Sequence, residues 1–286
     1  MVFSTKIIRN VREMLKSMDF QYNGELSLLK VREESFFLTL DDGQNRYLIE
    51  YSESGLLEKK YNNKCVLENN GINTGLITGS KFIIVYHDYL FGDSYRNVNL
   101  EDFENKIFVK SLAKWYKKLS EIKGLNAIKY VDYFSVENIC QTKRDFNLIN
   151  NDFIEYVEKH FDNIKLKFER LSTCFVIPDI SVKNIVVSKE NSNLIIVDFD
   201  ELYIGNKAMN IEKISSYLND EMKNTFCEEY GFVNEDEAIV NDVVMNFVRL
   251  FLNRDKSNCD KEIKECLKNI TNEKMYEKAN VLVNWY

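Results

Sequence analysis

The stretch that decides the fold of this chain reads VIPDISVKNIVV from Val176 to Val187 and, after a short polar break, LIIVDFDEL from Leu194 to Leu202. Two short apolar runs separated by a polar turn predict a β-hairpin. Asp179 and Asn184 stand at the start of the hairpin, and Asp198 stands at its end. One carboxylate to receive the proton of an acceptor hydroxyl, with an amide and a second carboxylate to hold Mg²⁺, is the set that phosphoryl transfer requires.

At these residues the chain resembles the aminoglycoside phosphotransferase and choline kinase-like superfamily, including its spore-coat kinase-like branch. The superfamily signature is His-Gly-Asp-x-x-x-x-Asn followed by Ile-Asp-Phe or Ile-Asp-Trp. Here the corresponding residues read Ile177-Pro178-Asp179, so the leading His is absent. The resemblance implies an α+β, two-lobed protein-kinase-like fold. Residues 1–90 would form a small nucleotide-binding lobe of five antiparallel strands and one helix, and residues 91–286 a mainly helical lobe that carries the catalytic hairpin and the acceptor site.

The resemblance also implies roles for single residues. Asp179 would be the catalytic carboxylate, and Asn184 with Asp198 would hold Mg²⁺ on the phosphates of ATP or GTP. Nucleotide-binding residues are expected on the hinge strand FIIVYHDYLFG, residues 82–92, and on the two valines that flank the metal ligands. The valines would form an apolar floor under the base, a role that is compatible with their also being ordinary core valines. These residues are Tyr86, Asp88, Val186 and Val197.

The strand RYLIEY, Arg46 to Tyr51, carries Glu50 where kinase-like folds place a phosphate-binding Lys. A carboxylate facing a triphosphate costs roughly 1 kcal/mol at 4 Å in water and about 4 kcal/mol at an effective dielectric constant of 20. Two alternatives supply a cation. Arg46 shares the strand face of Glu50 but lies about 13 Å away, whereas Lys59 or Lys60 of the next helix would form a charge-reversed pair with Glu50.

The glycine-rich phosphate loop of such folds is also missing. The corresponding segment LKVREESFFL, residues 29–38, contains no Gly. Ser35 supplies a hydroxyl and a backbone N–H at this turn, and it is therefore included among the predicted nucleotide-binding residues.

The rest of the chain reads as strands near the amino terminus and as helices after residue 100. An amphipathic helix is predicted over 3–20, five strands over 26–31, 35–40, 46–51, 75–78 and 81–86, and one helix over 55–69. Further helices are predicted over 101–122, 151–172, 210–230, 235–254, 260–269 and 272–285. Residues 131–150 show no clear period and read as an inserted loop or a strand pair.

Composition limits the class of protein. A chain of 286 residues with 45% hydrophobic and 13% aromatic residues predicts a packed globular protein. No apolar run is long enough to span a bilayer, and the amino-terminal segment lacks a signal-peptide core. The six cysteines form no CxxC pair, so reduced thiols in a cytoplasmic protein are expected.

Charge is unevenly distributed along the chain. Residues 1–150 contain 21 Lys and Arg against 20 Asp and Glu, whereas residues 151–286 contain 17 against 25. An acidic second half disfavours nucleic acid and anionic membranes as partners. It suits a small cationic acceptor such as an amino sugar or a choline-like amine, and a solvated acidic surface explains it as well. The sequence does not indicate an oligomeric state.

Three hypotheses for function follow. The first is a phosphotransferase that uses ATP or GTP on a small hydroxylated acceptor, and the complete Asp-Asn-Asp set favours it. The second is a pseudoenzyme of the same fold that serves as a scaffold, which Glu50 and the missing glycine loop favour. The third is a helical interaction module of unrelated fold, which only the absence of the two-lobe pattern would favour.

Overall fold

The computed structural model describes residues 2–32, 34–91, 93–171, 173–177, 181–190, 193–197, 202–255, 259–272, 275–278 and 280. The described residues group into two compact units. The first comprises Met1–Asn126, Asp179–Glu201 and Tyr217–Tyr230, and the second comprises Ala127–Pro178, Leu202–Ser216 and Gly231–Tyr286. The predicted boundary between the lobes, near residue 90, does not coincide with the boundaries of these two units, and it stays a prediction.

A five-stranded antiparallel sheet dominates the first unit, in the order β1-β2-β3-β5-β4. In β2 the side chains alternate between buried and half-buried, as expected for a strand with one core face. Three buried residues on one side of helix α1 pack against the core face of the sheet, namely Ile7, Val11 and Leu15. The predicted five strands and intervening helix are confirmed. Their bounds are α1 Val2–Ser17, β1 Glu25–Arg32, β2 Ser35–Asp41, β3 Arg46–Ser52, α2 Glu58–Asn69, β4 Leu76–Gly79 and β5 Ile83–His87.

The first unit also contains the predicted hairpin. Strands β9, Ile185–Ser188, and β10, Leu194–Ile196, pair antiparallel, with Val186 opposite Ile195. A short strand β6, Tyr95–Asn97, pairs with the other edge of β9. The two apolar runs that define the motif in the sequence are therefore the two strands of the structure.

Helix α3, Lys106–Glu121, begins later than the predicted residue 101 because asparagines divide the segment. The side chain of Asn99 caps a 3₁₀ turn, Leu100–Glu104, and the side chain of Asn105 accepts hydrogen bonds from the first amides of α3. The predicted helix over 210–230 is likewise two helices, α7, Lys207–Ser215, and α8, Asp220–Tyr230. Asn219 accepts a hydrogen bond from the amide of Met222 and so starts α8.

The second unit is built around the long helix α9, Glu235–Asn253, in which nine side chains between Val240 and Leu250 are buried. The prediction of a loop or strand pair over 131–150 is wrong, because a 3₁₀ turn and helix α4, capped by Ser135, occupy that segment. The predicted helix over 151–172 is interrupted at His160. The bounds are β7 Ile128–Lys129, α4 Val136–Asp145, α5 Asp152–Lys159, α6 Phe161–Arg170, β8 Thr173–Val176, β11 Tyr203–Asn206, α9 Glu235–Asn253 and α10 Asp260–Ile270.

Sheets and separate helices together confirm the α+β class. Most of the helix predicted over 272–285 lies outside the described residues. In the part of the chain that the structure describes, no helix combines the length and the apolar character needed to cross a bilayer.

Candidate active site

A cavity of about 390 Å³ lies in the first unit, between the face of the sheet opposite α1 and the β9–β10 hairpin. It brings together six of the nine residues that the sequence predicts for the site. These are Glu50, Tyr86, Asp88, Asn184, Val186 and Val197. Asp179 and Asp198 lie outside the described residues, so their predicted roles stay predictions.

Basic side chains outnumber acidic ones around this cavity. Lys30, Arg32, Lys60 and Lys183 contribute four positive charges, and Glu50 and Asp88 contribute two negative charges. The Lys, Arg, Asp and Glu residues among the described lining residues therefore sum to +2. A partly enclosed site of this sign attracts an anionic ligand.

A β-bulge in β1 places two of these cations. Leu28 pairs with Leu38, whose side chain belongs to the core on the other face of the sheet. The register then shifts, and Lys30 pairs with Phe37 on the cavity face. In a regular strand Lys30 would share the face of Leu28, but the extra residue of the bulge reverses this. Lys30 Nζ lies 4.7 Å from the centroid of the Phe37 ring, and Arg32 also lines the cavity.

Glu50 projects from β3 onto the same cavity face and is only 6% exposed. Lys60, in the first turn of α2, meets it there with 2.6 Å between Lys60 Nζ and Glu50 Oε2. Lys59 is exposed. Of the cations that the sequence left as alternatives, Lys60 therefore forms the charge-reversed pair.

Arg46 is engaged elsewhere. Its guanidinium binds the carboxylate of Asp41 at 3.0 Å and stacks over the ring of Phe91, 4.4 Å from the centroid. It is not among the residues that line the cavity in the described part of the chain. The alternative in which Arg46 supplies the missing cation is not favoured by this geometry.

A second lysine stands one helical turn beyond Lys60. Lys64 is fully buried, and its Nζ lies 4.8 Å from the centroid of the Tyr86 ring. The hydroxyl of Tyr86 donates to Glu50 Oε2 at 3.4 Å. Glu50 is thus contacted by Lys60 and by the hydroxyl of Tyr86, and the ring of Tyr86 is in turn contacted by Lys64.

The hinge after β5 is fixed by its own backbone. The amide of His87 donates to the carbonyl of Gly75, and the amide of Asp88 donates to the carbonyl of Arg46, each at 2.9 Å. The Asp88 carboxylate accepts from the amide of Leu90 at 3.2 Å, which closes a tight turn. Asp88 lines the cavity and also holds the hinge in shape.

The hairpin supplies the opposite wall. Asn184 is buried, and its backbone carbonyl oxygen accepts a hydrogen bond from the backbone amide of Val197 at 3.0 Å. This bond joins the two ends of the hairpin, so the residue before Asp198 in the sequence is fixed beside Asn184. Val186 and Val197 give the wall its apolar surface.

Ser35 shares the cavity face of the sheet, because it pairs with Arg32 and Ser52 across β1, β2 and β3. It does not belong to the lining of the cavity. Its role as a nucleotide-binding residue stays a prediction.

Sequence reasoning missed Lys30, Arg32, Phe37 and Lys183 as lining residues. The placement of Lys30 and Arg32 depends on the β-bulge in β1, and the residue pattern of LKVREESFFL gives no indication of that bulge. Lys183 is adjacent to Asn184 inside the motif and could have been found from its position alone.

Comparison with solved structures confirms the kinase-like α+β fold that the hairpin motif predicted, and the hypothesis of a helical module of unrelated fold is therefore wrong. No family model and no curated protein matches the sequence. Among solved structures, the chain is similar to spectinomycin phosphotransferase in complex with ADP and spectinomycin, at 17% identity and a TM-score of 0.52, covering 96% of this chain and 98% of that one.

Two other solved structures show the same fold. The choline kinase LicA from Streptococcus pneumoniae has 11% identity and a TM-score of 0.57, with 98% of this chain and 100% of that chain covered. The macrolide 2′-phosphotransferase MphH from Brachybacterium faecium has 7% identity and a TM-score of 0.60, with 90% and 96% covered. Identities this low relate the folds and leave activity and acceptor to be argued from the site.

Proposed function

We propose that the protein is a phosphotransferase that moves the γ-phosphate of ATP or GTP to a hydroxyl of a small-molecule acceptor. The observation that carries the proposal is the cavity itself. Its wall on the hairpin side holds the buried amide Asn184, and its wall on the sheet side holds the cationic group around Glu50. A nucleotide needs both, because its phosphates require cations at one end and a metal-binding group at the other.

The apolar part of the cavity suits a nucleotide base. Val186 and Val197 lie on the hairpin wall, and Leu48, on the same face of β3 as Glu50, lies on the sheet wall. Apolar surfaces on both sides of a planar ring are the usual means by which a cleft holds it, with few polar groups to fix its orientation. The rigid hinge at Tyr86 and Asp88 borders the same space.

The donor set fits Mg²⁺. Asn184 presents a carboxamide at the cavity wall, Asp198 follows Val197 in the sequence, and oxygen donors of this kind suit a hard cation. Asn184 and Asp198 would hold the ion. The chemistry that bound Mg²⁺ supplies in such a site is neutralisation of the charge on the phosphates. Asp179 would accept the proton of the acceptor hydroxyl.

A small cationic acceptor, such as an amino sugar or a choline-like amine, is compatible with the acidic second half of the chain. Solved relatives of the fold include proteins crystallised with spectinomycin and with kanamycin. These ligands belong to those proteins and serve here to choose the compounds for a screen.

A pseudoenzyme of the same fold is the second candidate. It is favoured by the missing glycine turn between β1 and β2 and by Ile177 in place of the motif His. Ile177 is buried, so an apolar side chain packs where the family motif has an imidazole. The pairing of Glu50 with Lys60 weakens this candidate, because Glu50 no longer faces the cavity as an uncompensated charge.

Thermal unfolding measured with ATP, GTP, ADP and GDP, each with and without Mg²⁺, tests the proposal first. A nucleotide at a hundred times its Kd stabilises the protein by about 2.7 kcal/mol, and we expect Mg²⁺ to increase the shift. Absence of any shift at millimolar nucleotide would exclude both a phosphotransferase and a nucleotide-binding pseudoenzyme.

Transfer itself is then measured by mass spectrometry of amino sugars and choline-like amines incubated with the protein and Mg²⁺-nucleotide. We expect one acceptor to gain 80 Da, the mass of a phosphoryl group replacing a hydrogen. Asp179→Asn should abolish this product and leave nucleotide binding within about twofold of the wild type. Binding without transfer to any acceptor would favour the pseudoenzyme.

A further inference from the structure

The geometry points to an inverted ion pair at the phosphate end of the cavity, in which Lys60 contacts the nucleotide phosphates and Glu50 positions it. In the usual kinase-like arrangement the strand supplies the lysine and the helix supplies the glutamate. Here the strand β3 supplies Glu50 and the helix α2 supplies Lys60. The inference rests on the proposed function, since it assigns a residue to the nucleotide of that reaction.

The first support is position. The ammonium and the carboxylate are 2.6 Å apart, and both residues line the cavity. Exchanging the two ends of an ion pair moves the positive charge by no more than this distance. A cation delivered from the helix therefore occupies nearly the place that a cation delivered from the strand would occupy.

The second support is exposure. The side chain of Lys60 is 17% exposed and that of Glu50 is 7% exposed. The cation is thus the more accessible member of the pair. An ammonium group can donate three hydrogen bonds, so contact with Glu50 and with a phosphate oxygen at the same time is within its capacity.

The third support is the composition of α2. Its buried residues are Asn63, Lys64 and Leu67. A helix that served only to cover the sheet would bury apolar side chains, because a buried lysine is costly unless it has a use or a partner. Lys60 contacts the Glu50 carboxylate and Lys64, one turn later, packs over the Tyr86 ring, so the inner face of α2 carries two basic side chains at this end of the cavity.

The competing explanation is that the Glu50–Lys60 ion pair has a purely structural role. Ligands that carry different numbers of phosphates distinguish this explanation from a contact between Lys60 and the phosphates. Removing Lys60 should weaken binding of ligands that carry β- and γ-phosphates and leave adenosine or guanosine unaffected. A charge-assisted hydrogen bond is strong enough for a loss of about 10- to 100-fold. A structural defect would weaken all the ligands together.

The experiment is calorimetric titration of ATP, ADP and adenosine, or the guanine series if the wild type prefers it, in the presence of Mg²⁺. The variants are Lys60→Ala and Lys60→Met, with Lys59→Ala as the matched control because Lys59 is an exposed neighbour on the same helix. We expect both Lys60 variants to bind the triphosphate about 10- to 100-fold more weakly. Lys59→Ala should bind as the wild type does.

The exchange variant Glu50→Lys/Lys60→Glu gives an independent result. It restores the usual orientation of the pair, and we expect triphosphate binding within about fivefold of the wild type, whereas Lys60→Glu alone should lose it. This comparison also covers the case in which the truncated variants fail to fold.

The outcomes distinguish the inference from the function beneath it. Unchanged triphosphate binding by Lys60→Ala, or equal weakening of triphosphate and nucleoside, overturns the inference and leaves the phosphotransferase proposal standing. A wild type that binds triphosphate through Lys60 but transfers no phosphate contradicts the function and supports the inference. A wild type that binds no nucleotide overturns both.

Discussion

Substituting Glu50 by Lys is the most informative single change for the stability of the first unit. On the sequence alone this substitution resembles a repair, because it returns a lysine to the strand position. In the structure it removes the carboxylate that pairs with Lys60 and places a second ammonium group beside that of Lys60, with Lys64 one helical turn away. We therefore expect it to destabilise the protein.

The magnitude follows from burial and distance. Glu50 is 6% exposed, and loss of one partner from a buried pair costs roughly 3–5 kcal/mol. Two like charges at 4 Å add about 4 kcal/mol at an effective dielectric constant of 20. Rearrangement of the long lysine side chains relieves part of this, so we expect the free energy of unfolding to fall by about 3–5 kcal/mol in total.

Urea unfolding followed by tryptophan fluorescence and by far-ultraviolet circular dichroism measures this change. Trp115 lies on α3 within the first unit and reports on that unit once the other tryptophan of the chain, Trp285, is replaced by Phe in every protein compared. Glu50→Gln is the matched control, because it removes the negative charge without adding a positive one, and it should cost less. If Glu50→Lys unfolds at the same urea concentration as the wild type, the Glu50–Lys60 pair does not exist in the folded protein.

Three further changes probe other parts of the structure. Asn184→Ala should raise by about tenfold or more the Mg²⁺ concentration that gives half of the nucleotide-induced thermal shift. An unchanged Mg²⁺ titration would show that Asn184 does not bind the metal. Gly24→Ala should destabilise the protein by about 1–3 kcal/mol in urea, because the new Cβ would clash with the backbone carbonyl oxygen of Asp41. A neutral result would show that β1 and β2 separate easily there. Hydrogen bonds from Arg96 and from the amide of Asn99 lower the pKa of Asp102 despite its partial burial. The stabilising contribution of the Asp102 carboxylate should therefore be present above pH about 4 and decline as the pH falls through the lowered pKa. The unfolding midpoints of the wild type and of Asp102→Asn should then converge at low pH. A difference that stays constant with pH would contradict the lowered pKa of Asp102.

Much of the fold was predictable because it depends on short-range patterns. The β9–β10 hairpin follows from two apolar runs around a polar turn, and the sheet follows from alternation and from the turn signal at Asp42 and Gly43. The split between α7 and α8 was missed because apolar periodicity continues across it. Asn219 marks the break, but Asn is so frequent in this chain that a single one carries little information.

The site was predictable in part, for a different reason. Asn184 and the valines lie close together along the chain, so spacing alone places them. Lys60 could be named only as one of several alternatives, because its contact with Glu50 depends on how α2 packs on the sheet. Lys30 could not be placed, because one extra residue in β1 reverses its face and such a bulge leaves no compositional mark.

The placement of Lys60 on α2 has a consequence for regulation. When the strand supplies the cation, displacement of the helix removes only the counter-ion, and the cation stays in the sheet. In this chain displacement of α2 would carry the cation away and leave a carboxylate, Glu50, facing the phosphates. Nucleotide affinity would then depend strongly on the position of the single helix α2. The rate of amide hydrogen exchange in α2 should therefore fall in proportion to nucleotide occupancy.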